Sequence, residues 1–71
     1  MYSYKILLEK EESGGFSVIV PALPGCYTYG VDLDDAIFMA KEAIELYLEN
    51  LEAEGAPISD NSSTIEYLVT V

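Results

Sequence analysis

The stretch from Asp32 to Gly55 decides the fold, and it reads DLDDAIFMAKEAIELYLENLEAEG. Its apolar residues recur every three or four positions, which is the period of an amphipathic helix. These apolar positions are Leu33, Ala36, Ile37, Ala40, Ala43, Ile44, Tyr47, Leu48 and Leu51. Asp32 can cap the first turn, while Asp34 and Asp35 favour the positive end of the helix dipole. Because Gly55 and then Pro57 end the pattern, we predict one helix of about 22 residues, roughly 33 Å long.

The segments on either side of this helix alternate between apolar and polar residues, which is typical of strands with one buried face. Residues 2–9, 16–20 and 26–31 give three strands before the helix, and residues 64–71 give a fourth after it. Short turns join the first three into an antiparallel meander. A right-handed crossover through the helix returns the fourth strand parallel to the first. The sequence therefore predicts a single α+β domain over residues 1–71, in the order β-β-β-α-β, with strand order 3-2-1-4 and the helix on one face.

The charge of the chain excludes one class of partner. Asp and Glu number 13, against three lysines and no arginine, for a net charge of −10. Three lysines cannot follow a phosphate backbone, so we expect no direct binding to nucleic acid. The acidic excess either keeps the chain soluble or fits a basic partner. No apolar run approaches the roughly 20 residues that span a bilayer, and there is no export signal, so we expect a cytoplasmic protein without membrane contact.

The residues that usually carry enzyme chemistry are scarce. The chain has no histidine, which removes the commonest general base and metal ligand. Cys26, the only cysteine, has no basic neighbour in sequence to activate it, and we interpret it as a small buried residue. Asp32, Asp34 and Asp35 lack the spacing of a calcium loop and suit helix capping better. We therefore expect no catalytic residues, no metal and no cofactor, and we interpret the chain as a binding protein.

Two surfaces are candidates for that binding. Four glutamates are spaced by three and four residues and therefore share one face of the helix: Glu42, Glu45, Glu49 and Glu52. They are either the solvated face of an amphipathic helix or a docking surface for a basic protein. On the sheet face away from the helix, the alternation leaves Leu7, Ile19 and Leu68. These three are either scattered surface aliphatics or the contact face of a homo-oligomer, a dimer or larger.

Several uncommon elements occur together in a fixed order. They are Gly14-Gly15-Phe16, the run Val20-Pro21-Ala22-Leu23-Pro24-Gly25-Cys26, Gly30, Asp34-Asp35-Ala36, Ala40, Lys41-Glu42-Ala43-Ile44, Tyr47-Leu48 and Gly55. In this order they resemble the HicB-type antitoxin domain, over about residues 4–58. The resemblance implies a partial ribonuclease H-like fold that lacks the acidic active site of that enzyme. It also implies a partner, a small basic HicA-type toxin ribonuclease, whose active site the antitoxin covers.

Many members of that family continue into a second domain that binds promoter DNA. This sequence stops at Val71, and we expect a short, stand-alone member without direct DNA binding. The first hypothesis is an antitoxin that binds a basic HicA-like toxin. The alternative is a stand-alone oligomeric adaptor, or a module that binds a small ligand, with no toxin partner.

Overall fold

The structure is a computed structural model that describes residues 2–71. Three strands precede one long helix: β1 (Leu7–Lys10), β2 (Phe16–Ile19), β3 (Tyr27–Gly30) and α1 (Leu33–Glu54). The strands form an antiparallel sheet in the order β1-β2-β3, in which Leu7 lies opposite Ile19 and Ile19 lies opposite Tyr27. The α+β class, the meander and the helix are confirmed. Within residues 2–71, no helix has the length and apolarity needed to cross a membrane.

Both ends of α1 lie where the capping residues predict. The Asp32 carboxylate accepts from the Asp35 N–H at 2.8 Å, and the Asp35 carboxylate accepts from the Val31 N–H at 2.9 Å. At the other end Gly55 takes the left-handed conformation with φ 67°. The N–H groups of Gly55 and Ala56 then donate to the carbonyls of Glu52 and Leu51. These bonds use backbone groups that a helix end otherwise leaves free, and they limit α1 to 22 residues.

The helix packs chiefly against β3 and less against β2. Its N-terminal half approaches most closely at Gly30, because a Cβ on Gly30 would overlap the backbone nitrogen and Cα of Ala36. Six apolar residues become buried between the two layers: Val18, Val20, Leu23, Cys26, Ala36 and Ala40. Ile6, Leu8 and Phe16 pack against this core from the sheet. The helix therefore covers the face of the sheet that carries Leu8, Phe16 and Val18.

The strands are shorter than predicted, most of all β1. Leu7 is paired with Ile19, close to the end of β2, and Pro21 follows soon after. Residues 3–5 therefore extend beyond the end of β2 and pair with the loop after the helix. There the Asn61 N–H donates to the Ser3 carbonyl at 2.7 Å, and the Lys5 N–H donates to Asn61 Oδ1 at 2.9 Å.

The structure does not show the predicted fourth strand, because residues 64–71 form no strand and join no sheet. Asn61 lies beside Ser3 and Lys5 as the first residue of a parallel strand would. However, its side-chain oxygen takes the place of the backbone carbonyl as the acceptor for Lys5. The Asn61 carbonyl accepts instead from the Thr64 N–H at 3.0 Å, in a turn. The chain thus leaves the sheet edge one residue after the pairing begins.

Replacing Gly30 by alanine tests the contact between α1 and β3. The added methyl must displace the backbone of Ala36, so we expect a loss of about 1–3 kcal/mol in the free energy of unfolding. Urea denaturation followed by helix circular dichroism measures it. Gly55→Ala is the comparison, because its Cβ would meet open space and its cost comes only from the left-handed backbone, about 1 kcal/mol. A Gly30→Ala loss no larger than the Gly55→Ala loss would contradict the close approach.

Candidate protein-binding surfaces

The four glutamates form one acidic surface, which we name the glutamate row (Glu42, Glu45, Glu49 and Glu52). All four side chains are exposed, on the side of α1 that faces away from the sheet. Four like charges at this spacing repel one another, and a basic partner would relieve that repulsion. The row is therefore suited to electrostatic docking.

Two apolar side chains flank the glutamate row and were missed by the sequence reasoning. Phe38 is 58% exposed and Leu46 is 60% exposed, and Leu46 lines a shallow depression together with Glu42, Glu45 and Glu49. Phe38 and Leu46 each lie four residues from Glu42, so they share its side of the helix. The signal in the sequence was an apolar residue at a position that the helical period assigns to solvent. Aromatic and aliphatic groups among charges are common at the centres of protein interfaces.

The outer sheet face is a second surface, built by the strand register from Leu7, Ile19 and Tyr27. Leu7 is directly opposite Ile19, and Ile19 is directly opposite Tyr27, so the three side chains form a row across the sheet. They are 49%, 41% and 67% exposed. Leu68 was predicted to join Leu7 and Ile19, but it lies in residues 64–71, outside the sheet, and is 90% exposed. Tyr27 takes the place of Leu68 in this row. Its position beside Ile19 follows from the pairing register of β2 and β3, which the sequence alone does not give.

A third feature ties the chain after the helix to the N-terminal segment, and we name residues 59–61 the anchor. The Asp60 carboxylate accepts from the Ser3 N–H at 2.8 Å, and the Tyr4 hydroxyl donates to the Ser59 carbonyl at 2.6 Å. The Ser3 N–H and then the Ser62 hydroxyl hold the pKa of Asp60 below its usual value. Burial, followed by the nearby Asp60 charge, raises the pKa of Tyr4.

The residues considered for chemistry have structural roles. Cys26 is buried beside Val20 and Leu23, and burial raises the pKa of its thiol. A thiol in such surroundings is a poor nucleophile, as the sequence predicted. Asp32 and Asp35 use their carboxylates for capping, which was also predicted. Among residues 2–71, no three His, Cys, Asp or Glu side chains are grouped so that they could hold a metal ion.

Comparison with known proteins identifies the family. A model of the family described as HicB-like antitoxin of bacterial toxin–antitoxin system matches residues 4–71. The chain belongs to the HicB-like antitoxin family. The match confirms the resemblance and extends it from residue 58 to residue 71, so residues 64–71 are part of the family pattern. Membership indicates the role of antitoxin in a toxin–antitoxin pair.

Several similar proteins are named UPF0150 protein, and three of them show the extent of the likeness. The one from Synechocystis is 47% identical over 58 residues, which is 82% of this chain and 73% of the relative. The one from Archaeoglobus fulgidus is 52% identical over 46 residues, covering 65% of this chain and 67% of the relative. The one from Thermoplasma acidophilum is 41% identical over 63 residues, covering 87% of this chain and 91% of the relative. No solved structure matches the chain.

Acidification is expected to release the anchor. Because the folded state lowers the pKa of Asp60, the anchor is fully formed above about pH 4 and weakens as the pH falls through that lowered pKa. The chemical shift of the Ser3 amide, followed by NMR from pH 7 to pH 2, should show this step. Asp60→Asn should remove the step, and Asp34→Asn, a control on the helix surface, should preserve it. A Ser3 amide shift that does not change below pH 4 would contradict the assignment.

Proposed function

We propose that this chain is an antitoxin that neutralises a small basic HicA-type toxin ribonuclease by covering its active site with the helix α1. The observation that carries the proposal is the glutamate row, four exposed carboxylates on one helix face in a chain of net charge −10. A nuclease that binds RNA needs a positive surface at its active site, and an acidic face is complementary to it.

The apolar side chains beside the glutamate row support the same docking surface. Charges at the edge of an interface mainly accelerate association, whereas buried apolar and aromatic groups slow dissociation. Phe38 and Leu46 are placed to supply the second contribution next to Glu42. The partial ribonuclease H-like relation, which the family resemblance implies, and the single-domain organisation, which the length of the chain predicts, belong to this proposal too.

The first experiment is binding to the HicA-like protein encoded beside the gene for this chain. We expect the two proteins to co-purify, and we expect this chain to restore growth to cells that express the toxin. If neither binding nor rescue occurs with any such neighbour, the antitoxin proposal fails.

Charge reversal locates the docking surface. Glu45→Lys with Glu49→Lys should lower the association rate with the toxin by about tenfold or more at low salt, and much less at high salt. Stopped-flow mixing at several salt concentrations measures this rate. Glu9→Lys with Glu12→Lys changes the net charge equally, near the β1–β2 turn, and should have a smaller effect. Equal rates for the two double variants at every salt concentration would show that the glutamate row is not where the toxin docks.

A second candidate function follows from the outer sheet face. We propose as the alternative an adaptor, or a module for a small apolar ligand, that uses this face without a toxin partner. The observation that favours it is the row of Leu7, Ile19 and Tyr27, adjacent on three strands and all exposed. Contiguous apolar surface of this kind is uncommon on a protein without a partner.

Polar substitution tests this second candidate. Ile19→Ser with Tyr27→Ser should lower binding of an apolar fluorescent dye, measured by its emission. Leu46→Ser, at an equally exposed aliphatic side chain on the helix, should leave most of that binding in place. The same dye binding in the double variant as in the unchanged chain would remove the outer sheet face as a ligand surface.

A further inference from the structure

Residues 64–71 have the sequence of a strand but no sheet to pair with. Ile65, Tyr67, Val69 and Val71 alternate with Glu66, Leu68 and Thr70. Ile65, Tyr67 and Leu68 are 90%, 84% and 90% exposed. Val69 and Val71 are 69% and 117% exposed. An exposed apolar segment of this length normally marks a contact with another protein surface.

The shape of the molecule also reflects this projecting segment. The Cα radius of gyration is 13.3 Å. A compact chain of this length is expected to have a radius of about 11 Å. The difference indicates that part of the chain lies away from the core.

The sheet has a vacant edge with an apolar groove beside it. β1 is an edge strand, so one side of its backbone lacks a neighbouring strand in the described sheet. Because α1 packs chiefly on β3, the flank of the helix above β1 is uncovered. Between this flank and the N-terminal segment lies a groove, which we name the edge groove, whose lining includes Tyr4, Ile6, Asp34, Ile37, Phe38, Lys41 and Ile44. It is the place that a fourth strand beside β1 would fill.

The chain's own C-terminal segment is directed away from that place. Asn61 is fixed at the edge by its bonds to Ser3 and Lys5, and the turn from Asn61 to Thr64 points the following residues elsewhere. Asp60 supports the turn, because its carboxylate accepts from both the N–H and the hydroxyl of Ser62. The anchor and this turn therefore favour an open arm.

We infer that residues 64–71 of one copy occupy the edge groove of a second copy, and that the second copy reciprocates, so that the two chains exchange strands in a symmetric dimer. The arm would pair with β1 of its partner and complete a four-stranded sheet between two chains. Ile65, Tyr67 and Val69 would then fill the groove between β1 and the helix. This inference does not depend on toxin binding, because the arm would meet β1 and the apolar side chains of the groove and not the glutamates, although Phe38 borders both surfaces.

The positions of the lysines and the outer sheet face both support a second copy of the chain as the occupant of the edge groove. All three lysines of the chain lie at or near this edge: Lys5 before β1, Lys10 in β1 and Lys41 in the groove. The arm brings only one acidic side chain, Glu66, to an edge where the three lysines lie among the acidic residues Glu9 and Asp34. On the opposite side of the arm, Leu68 would extend the row of Leu7 and Ile19, as the side-chain alternation of a strand requires.

Sedimentation velocity over a wide range of concentrations tests the dimer on the full chain. We expect a dimer, and we expect Tyr67→Asp with Val69→Asp to yield a monomer with unchanged helix circular dichroism. Ser63→Asp with Thr70→Asp adds the same charge in the same region but outside the groove-facing set, and it should remain dimeric. If the unchanged chain is a monomer, the inference is overturned. A dimer that survives Tyr67→Asp with Val69→Asp would also overturn it, because the two copies would then meet at another surface.

A second measurement distinguishes strand exchange between two chains from an arm that folds back into the edge groove of its own chain. In an equal mixture of isotope-labelled and unlabelled chains, isotope-filtered NMR should detect contacts between the Tyr67 ring of one chain and the Ile37 or Ile44 methyl groups of another. The same contacts seen only within one chain would overturn the inference. Glu42→Lys with Glu49→Lys changes the glutamate row at positions that do not line the groove and should preserve the contacts between chains, so failure of the antitoxin proposal and failure of strand exchange give different results.

Discussion

The contact between Gly30 and Ala36 is the constraint on which the rest of this structure depends. At the end of β3, the absence of a side chain lets the helix backbone lie directly on the strand. The chain turns at once into the Asp32 cap, so the first turn of α1 is fixed in position and direction by one glycine and one carboxylate. Because α1 is one continuous helix of 22 residues, docking at its N-terminal half also fixes the direction in which its acidic face points.

This docking position also determines what remains uncovered. A helix seated over β3 buries small residues, Ala36 and Ala40, against Val18, and this gives a thin core. The same placement leaves the flank above β1 open and leaves the outer side of the sheet without a covering layer. A domain of this size has little apolar surface to spare for its own stability. The apolar residues that the helix does not cover stay exposed, and the proposed contact surfaces are built from them.

The sequence predicted the elements governed by local rules and was wrong where side chains compete with the backbone. Helix period and capping chemistry are local, so both ends of α1 could be placed. The meander follows from turns whose glycines adopt positive φ, Gly14 and Gly25. The fourth strand depended on Asn61, whose side-chain amide oxygen replaces a backbone acceptor, and spacing alone cannot predict that substitution. For the candidate surfaces, the glutamate row needed only helical periodicity, whereas Tyr27 beside Ile19 needed the strand register.

The uneven distribution of charge affects both proposed contacts, the one with a second copy of the chain and the one with a basic toxin. Two copies of a chain with net charge −10 repel each other, and this repulsion is weakest where positive charges lie. Lys5, Lys10 and Lys41 lie at or near the sheet edge, while the glutamates lie on the far side of the helix. Lys41 is four residues from Glu45 on α1, so the two charged regions adjoin at that point of the helix. Under the two proposals, the edge would accept an arm of like sequence while the glutamate row would attract a basic protein.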